Sequence, residues 1–230
     1  MSVPDGFAVP DEVEPTTGWR AWALARTPDG GPELRPIIYS GEAWPALDAA
    51  RAKCPPHAHA GHRPPELDCT CGLYAVDGLD RLPAVTGRDV TVIGSVSIWG
   101  RLVEHDSGFR AEFGYPEQLR LVCGVCWQSG MFDDEVVAVA RTGRATLLGL
   151  CEDHAGARSA SEPDPRFLER QLLATYAVDR MPDAAVARMA EAWSHPTRRA
   201  RHHMSFASAA AAVVFFGVLL SLFALAVSLK

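Results

Sequence analysis

Apolar and polar positions alternate at period two along Val90-Thr-Val92-Ile-Gly-Ser-Val96-Ser-Ile98-Trp-Gly-Arg-Leu102, which predicts a strand with one apolar face. Glu104 to Gly108 supplies turn residues, and Phe109-Arg-Ala-Glu-Phe113 predicts the returning partner. Upstream, Gly18 to Leu24 and Glu33 to Ser40 flank a TPDGGP turn and predict another hairpin. Trp44-Pro45 predicts the opening of a short helix that reaches Cys54, and the prolines from Pro55 to Pro65 predict an irregular loop behind it. Leu119 to Val122 and Thr146 to Leu150 read as strands, each running directly into a cysteine, while Glu135 to Arg141 fits helix or strand equally. Past His154 the period lengthens. Asp164-Pro165 is a cap and first-turn pair followed by Phe167, Leu168, Leu172, Leu173 and Tyr176 on one helical face; a second helix from near Asp183 carries Val186, Met189, Ala190 and Trp193.

The pattern ends in an uncharged apolar block from Phe206 to Leu229, long enough to predict a transmembrane helix, which needs roughly 20 residues. Arg198, Arg199 and Arg201 precede it and only Lys230 follows, so the positive-inside rule predicts residues 1–205 in the cytoplasm. The N-terminus has neither a basic start nor an apolar run, so no secretory signal is read there. The expected organisation is a flexible tail over 1–16, a β-rich domain over 17–160, a helical linker and basic collar over 161–204, and an anchor over 205–230. The expected fold class is α+β: a small β-rich zinc-stabilised cytosolic domain, a helical linker and a single C-terminal transmembrane helix, in a single-pass protein of the inner membrane.

Charge narrows the partners. The 230-residue chain carries a formal charge of −6, and leaving out Arg198, Arg199, Arg201 and Lys230, the only charged residues after 195, leaves −10. A domain this acidic repels phosphate backbones, so nucleic acid is not an expected partner. The membrane, through residues 206–229, and an unidentified protein are the partners expected.

The six cysteines fall into two sets. Cys123-Gly-Val-Cys126, a gap of 24 residues and Cys151-Glu-Asp-His154 form C-x2-C-x24-C-x2-H, two paired-ligand turns of the kind that hold tetrahedral zinc. A redox C-x-x-C is the competing reading, and the sequence offers no strand-to-helix entry for one. Cys54, Cys69 and Cys71 remain, with His57, His59 and His62 between them. In an extended segment residues i and i+2 face the same side, so Cys69 and Cys71 can present both sulfurs to one ion, with Cys54 as third ligand. His62 is the fourth ligand chosen, because Pro64 and Pro65 stiffen its link to Cys69; His57, at C-x2-H spacing from Cys54, is the rival. Buried reduced cysteines beside solvated histidines are the bland alternative. Both sets, if metal-bound, are sulfur-rich and four-liganded, which predicts two structural zinc ions.

The order Gly18-Trp19-Arg20-x-Trp22, Trp44-Pro45, Cys54, His62-x-x-Pro65, Cys69-x-Cys71-Gly72-Leu73-Tyr74-Ala75, Val96-x-x-Trp99-Gly100, Glu104-His105-x-x-Gly108-x-Arg110-Ala111-Glu112 and Tyr115-Pro116 resembles a group of actinobacterial-type bacterial proteins with a CxCGxYA core. The resemblance spans about residues 18–120. It implies that His62 belongs with the CxC cysteines, and it brings no activity.

Glu104, His105, Asp106, Arg110 and Glu112 surround one predicted turn and could form an acid/base site, although charged pairs across a hairpin are ordinary. The sequence contains no P-loop, HExxH, GxGxxG or serine-hydrolase signature. The expected function is a membrane-anchored zinc module for interaction or scaffolding. The alternatives are a zinc-dependent hydrolase or transferase with an open metal position in the His57–His62 loop and, behind it, a thiol redox sensor.

Overall fold

The computed structural model describes residues 14–37, 42–54, 62–85, 89–143, 145–156 and 164–194. The chain divides into a compact unit over 1–193 and a second over 194–230, and only the first is described beyond its opening residue. Among the described residues, one sheet of nine strands dominates. It comprises β1 (Thr16–Arg26), β2 (Pro32–Pro36), β3 (Ala50–Arg51), β4 (Leu73–Val76), β5 (Val90–His105), β6 (Gly108–Leu121), β7 (Ala138–Thr142), β8 (Thr146–Leu150) and β9 (Asp179–Arg180). Helices α1 (Gly124–Ser129), α2 (Glu152–Ala155), α3 (Pro165–Tyr176) and α4 (Asp183–Ser194) complete the unit.

The antiparallel hairpins β1–β2 and β5–β6 form where the alternation places them. The pairings β1–β5, β5–β6, β6–β4 and β4–β1 return on themselves, so the sheet curls into a closed ring. Glycines allow the tight approaches this needs. A Cβ on Gly108, at φ +148°, would lie 2.1 Å from the Ala75 carbonyl oxygen.

One apolar cluster draws Trp22, Ala75, Val96, Ile98 and Ala111 from the ring and is covered by Leu168, Leu172 and Tyr176 of α3. The other takes Ala21, Val90 and Ile93 on one side and Met181, just before α4, with Val186 and Met189 of α4 on the other. Trp127 of α1 packs on Trp193 at 5.1 Å between ring centroids. Tyr176 also ties distant segments: its hydroxyl accepts from the Leu34 amide at 2.8 Å and donates to the Trp44 carbonyl at 2.9 Å. Buried Arg120 binds Asp134 and, at 2.5 Å, Asp183, joining β6 to the start of α4.

Two long strands change partners partway along one edge. β1 pairs with β5 as far as Ala23 and with β8 at Leu24 and Ala25. Thr91 is the extra residue at that switch, since Trp22 pairs with Val92 and Ala23 with Val90; its hydroxyl donates to the Leu147 carbonyl at 3.0 Å. β6 similarly pairs with β3 at Phe113 and Gly114 and with β4 from Ala111 to Gly108.

Several expectations are corrected. Residues 45–51 form a turn and the two-residue β3 rather than a helix, because Ala50 and Arg51 find edge pairing on β6, and the Leu47 amide donates to the Tyr115 hydroxyl at 2.9 Å. The segment around Ala138 is a strand. Helices α3 and α4 are no linker: their apolar faces complete the two clusters above. The predicted membrane helix over 206–229 lies outside the described residues, and among those described no helix is long and apolar enough to cross a membrane. The described helices α3 and α4 each have 12 residues and keep a polar face. The fold class is thus corrected to a strand-rich unit with a large antiparallel sheet, and the single-pass inner-membrane placement is withdrawn with the transmembrane helix.

Replacing Tyr176 by Phe leaves a buried amide and a buried carbonyl without a partner, which costs about 2 kcal/mol. Thermal denaturation is expected to show a melting temperature lower by about 4–8 °C with unchanged metal content; an unshifted transition would contradict the bridging role.

Candidate metal centres

One Cys/His cluster lies at the switch from β3 to β4 on β6, and a second lies where the ends of β6 and β8 meet. In the first, Cys54, His62, Cys69 and Cys71 present four ligand atoms within 4.8 Å of one another. Cys54 leaves β3 as it runs down the β6 edge, Cys71 enters β4 on the same edge, and the excursion between them supplies His62 and Cys69. The Cys54 and Cys69 sulfurs are 3.6 Å apart, and His62 Nε2 is 3.2 Å from the Cys71 sulfur. A tetrahedral zinc with ordinary bond lengths requires about 3.8 Å between sulfurs and about 3.5 Å between sulfur and nitrogen. The rival ligand His57 lies outside the described residues.

In the second cluster Cys123, Cys126, Cys151 and His154 also lie within 4.8 Å of one another. His154 Nδ1 sits 3.5 Å from Cys123, 3.5 Å from Cys126 and 3.2 Å from Cys151, and the last two sulfurs are 3.7 Å apart. The nearer ring nitrogen faces the sulfurs because His154 shares a single turn with Cys151, whereas His62 reaches in from a loop with its far nitrogen. Gly124 serves packing: a Cβ there would come 2.2 Å from Leu148 Cδ1 and 2.5 Å from the Val90 carbonyl oxygen. Gly149 likewise lets β8 approach the Val122 carbonyl. Cys123 caps α1 directly after β6, so CGVC does stand at a strand-to-helix entry, contrary to the sequence reading; its sulfurs nevertheless face Cys151 and His154.

The predicted acid/base set is divided. Glu104, His105 and Asp106 stay exposed at the hairpin tip. Arg110 instead donates to the carbonyls of Glu66 and Cys71, both at 3.2 Å, and of Cys69, clamping the CxC turn. Gly72, at φ +133°, makes room for it, since a Cβ would fall 2.8 Å from Arg110 Cβ. Glu112 is buried and binds Arg63 at 2.6 Å, next to His62, and Arg51 at 3.4 Å, near Cys54. Burial works against its charge, but Arg63, the Arg101 backbone and Arg51 outweigh it and hold the carboxyl below its ordinary range. Arg51 and Arg63 were missed, as was the supporting role of Arg110 and Glu112. Their signal was present in Phe109, Ala111 and Phe113, whose alternation sets Arg110 and Glu112 together on the other face of β6.

Burial, ahead of the neighbouring Cys69 sulfur, pushes the Cys71 thiol up to about 11, and burial likewise raises Cys54, Cys126 and Cys151. Burial opposes ionisation of Cys69 as well, but the backbone amide of Cys71 and the other sulfurs draw it down. The metal-free clusters therefore hold protons that a metal must displace. No family model, no curated protein and no solved structure matches the chain.

Replacing Arg110 by Met unclamps the CxC turn and is expected to weaken metal affinity at the first cluster about 10- to 100-fold without changing the second, as read by chelator competition. Equal weakening at both would count against the clamp. Proton displacement fixes the sign of the pH dependence. The raised thiols favour the metal-free fold below their unfolded value, near 9, and that contribution is lost as pH rises through about 11 for Cys71. Zinc affinity is thus expected to fall as the medium is acidified, by up to about three decades per pH unit per cluster, one for each thiol proton. A zinc titration in buffers of different protonation enthalpy would read the protons released, and release of none would sink the ligand assignment.

Proposed function

We propose that the protein is a zinc module with one structural ion in each Cys3His set, and that it presents a rigid acidic surface to a protein partner. The observation that carries this reading is that each set offers four ligand atoms, three of them sulfur, within 4.8 Å of one another. Such a set fills a tetrahedral ion and leaves no position for water or substrate, whereas a zinc hydrolase or transferase keeps one open. Three thiolates and an imidazole also favour zinc over harder cations. The surplus of acidic residues before position 195 suits a basic protein surface better than nucleic acid. Structural zinc contributes about 10–16 kcal/mol of apparent binding free energy, as large as the whole stability of a typical domain at about 5–15 kcal/mol. The metal is thus expected to decide whether the unit folds.

The chain purified without chelator is expected to hold two zinc ions, with X-ray absorption reporting three sulfur and one nitrogen neighbours per ion. A strong chelator should abolish its near-ultraviolet circular dichroism, and added zinc should restore it. A single ion, or an oxygen in the ligand shell, would favour the enzyme reading instead.

A further inference from the structure

The two clusters are alike in ligand type and sulfur spacing but differ in access. In the second, Cys123, Cys126 and Cys151 are 1%, 5% and 2% exposed. In the first, Cys69 and Cys71 are buried but Cys54 is only half-buried, and it opens with His62 onto a groove of about 590 Å³. Arg51, Lys53 and Arg63 line the same groove. Arg51 and Arg63 reach it from the pair they make with buried Glu112, and Lys53 from its pair with Glu42 on the surface.

We propose that Cys54 is a modification site for hydroperoxides, and that its oxidation closes a Cys54–Cys69 disulfide and empties the first metal site while the second stays intact. This rests on the zinc reading above and adds to it a reaction confined to one cluster. The Cys54 thiolate, reached from the groove, attacks one oxygen of hydrogen peroxide; the sulfur–oxygen bond forms, the oxygen–oxygen bond breaks, and hydroxide leaves. The groove cations stabilise the negative charge that develops on the departing oxygen. Cys69, 3.6 Å away, then attacks the Cys54 sulfenic acid. The sulfur–sulfur bond forms, the sulfur–oxygen bond breaks, and a second hydroxide leaves. Two protons from solvent convert both hydroxides to water, so two thiolates have supplied two electrons to one peroxide. Cys71 and His62, 3.2 Å apart, remain as two ligands of four, too few to retain zinc. The second cluster has a sulfur pair equally close, at 3.7 Å, but all three of its cysteines are buried, so access and not spacing sets the selectivity.

The test uses the full chain, first shown to contain two zinc ions, treated with one equivalent of hydrogen peroxide in the presence of a chromogenic zinc indicator. One ion per chain is expected to be released, with peptide mass spectrometry finding Cys54 joined to Cys69, and thiol reductant plus zinc restoring the starting state. Lys53→Gln, a surface change that keeps both ions, is expected to slow the release about fivefold. Release of both ions together, release of none, or a first crosslink between Cys126 and Cys151 would overturn the proposal, as would an unchanged rate in the Lys53 variant. A chain that takes up fewer than two zinc ions before peroxide is added would instead defeat the zinc reading on which it rests.

Discussion

The constraint on which the rest of the structure depends is that β1 and β6 each change partner partway along one edge. β1 passes from β5 to β8 at Ala23 and Leu24, and β6 passes from β3 to β4 between Phe113 and Ala111. At such a junction the ladder cannot hold the two partners together, since β3 has two residues and β4 only four. The first Cys/His cluster draws its ligands from the segments that meet at the β6 junction, and the second from the segments that follow β6 and β8. A tetrahedral ion in each would fasten what hydrogen bonds leave open, and would do so by fixing loops whose ordering is otherwise costly in entropy.

The polar residues around the first cluster follow from the same constraint. The CxC turn with its carbonyls and the buried Glu112 carboxylate lie side by side there, and Arg110, Arg63 and Arg51 converge on them. Arg110 reads the backbone, holding three carbonyls of the Glu66–Cys71 turn, while Arg63 carries the load from His62 to Glu112 on β6. A buried carboxylate tolerates its position only when such partners are in place. Glu112 therefore belongs to the architecture of the cluster, although it offers no ligand to it.

How much of this was legible in the sequence depended on whether the signal was local. Cys123-Gly-Val-Cys126 with Cys151-Glu-Asp-His154 carries its geometry in its spacing, and subtraction then left Cys54, Cys69 and Cys71 as a second set. The two hairpins were equally legible because period two survives along most of Val90 to Phe113. Ala50 and Arg51 misled because Pro45 suits a first helical turn, while the edge of β6 that claims them lies about 60 residues away. Arg110 and Glu112 misled for the same reason: their partners arrive from the loop before β4, and nothing in the hairpin itself announces that loop. The reason for Gly124 was equally out of sight, since it is Leu148, which only the packing of β8 supplies.

The short helices show why the ligand turns need help from outside themselves. α1 has six residues and α2 four, well below the roughly 12–15 at which an isolated helix becomes even marginal in water. α1 gains from Trp127 packing on Trp193, whereas α2 has no buried residue at all. α2 is kept in place by Ala155, which packs partly buried on the cluster of Ala138, Ala140, Leu148 and Leu150, by the Cys151 carbonyl, which accepts the Ala155 amide at 2.9 Å, and by His154, whose ring faces three sulfurs. Contacts between an imidazole and protonated thiols are weak, so in the absence of an ion His154 adds little to that hold. With an ion bound, the same turn becomes one of the fixed points of the second cluster, and the end of β8 is tied through it to the end of β6.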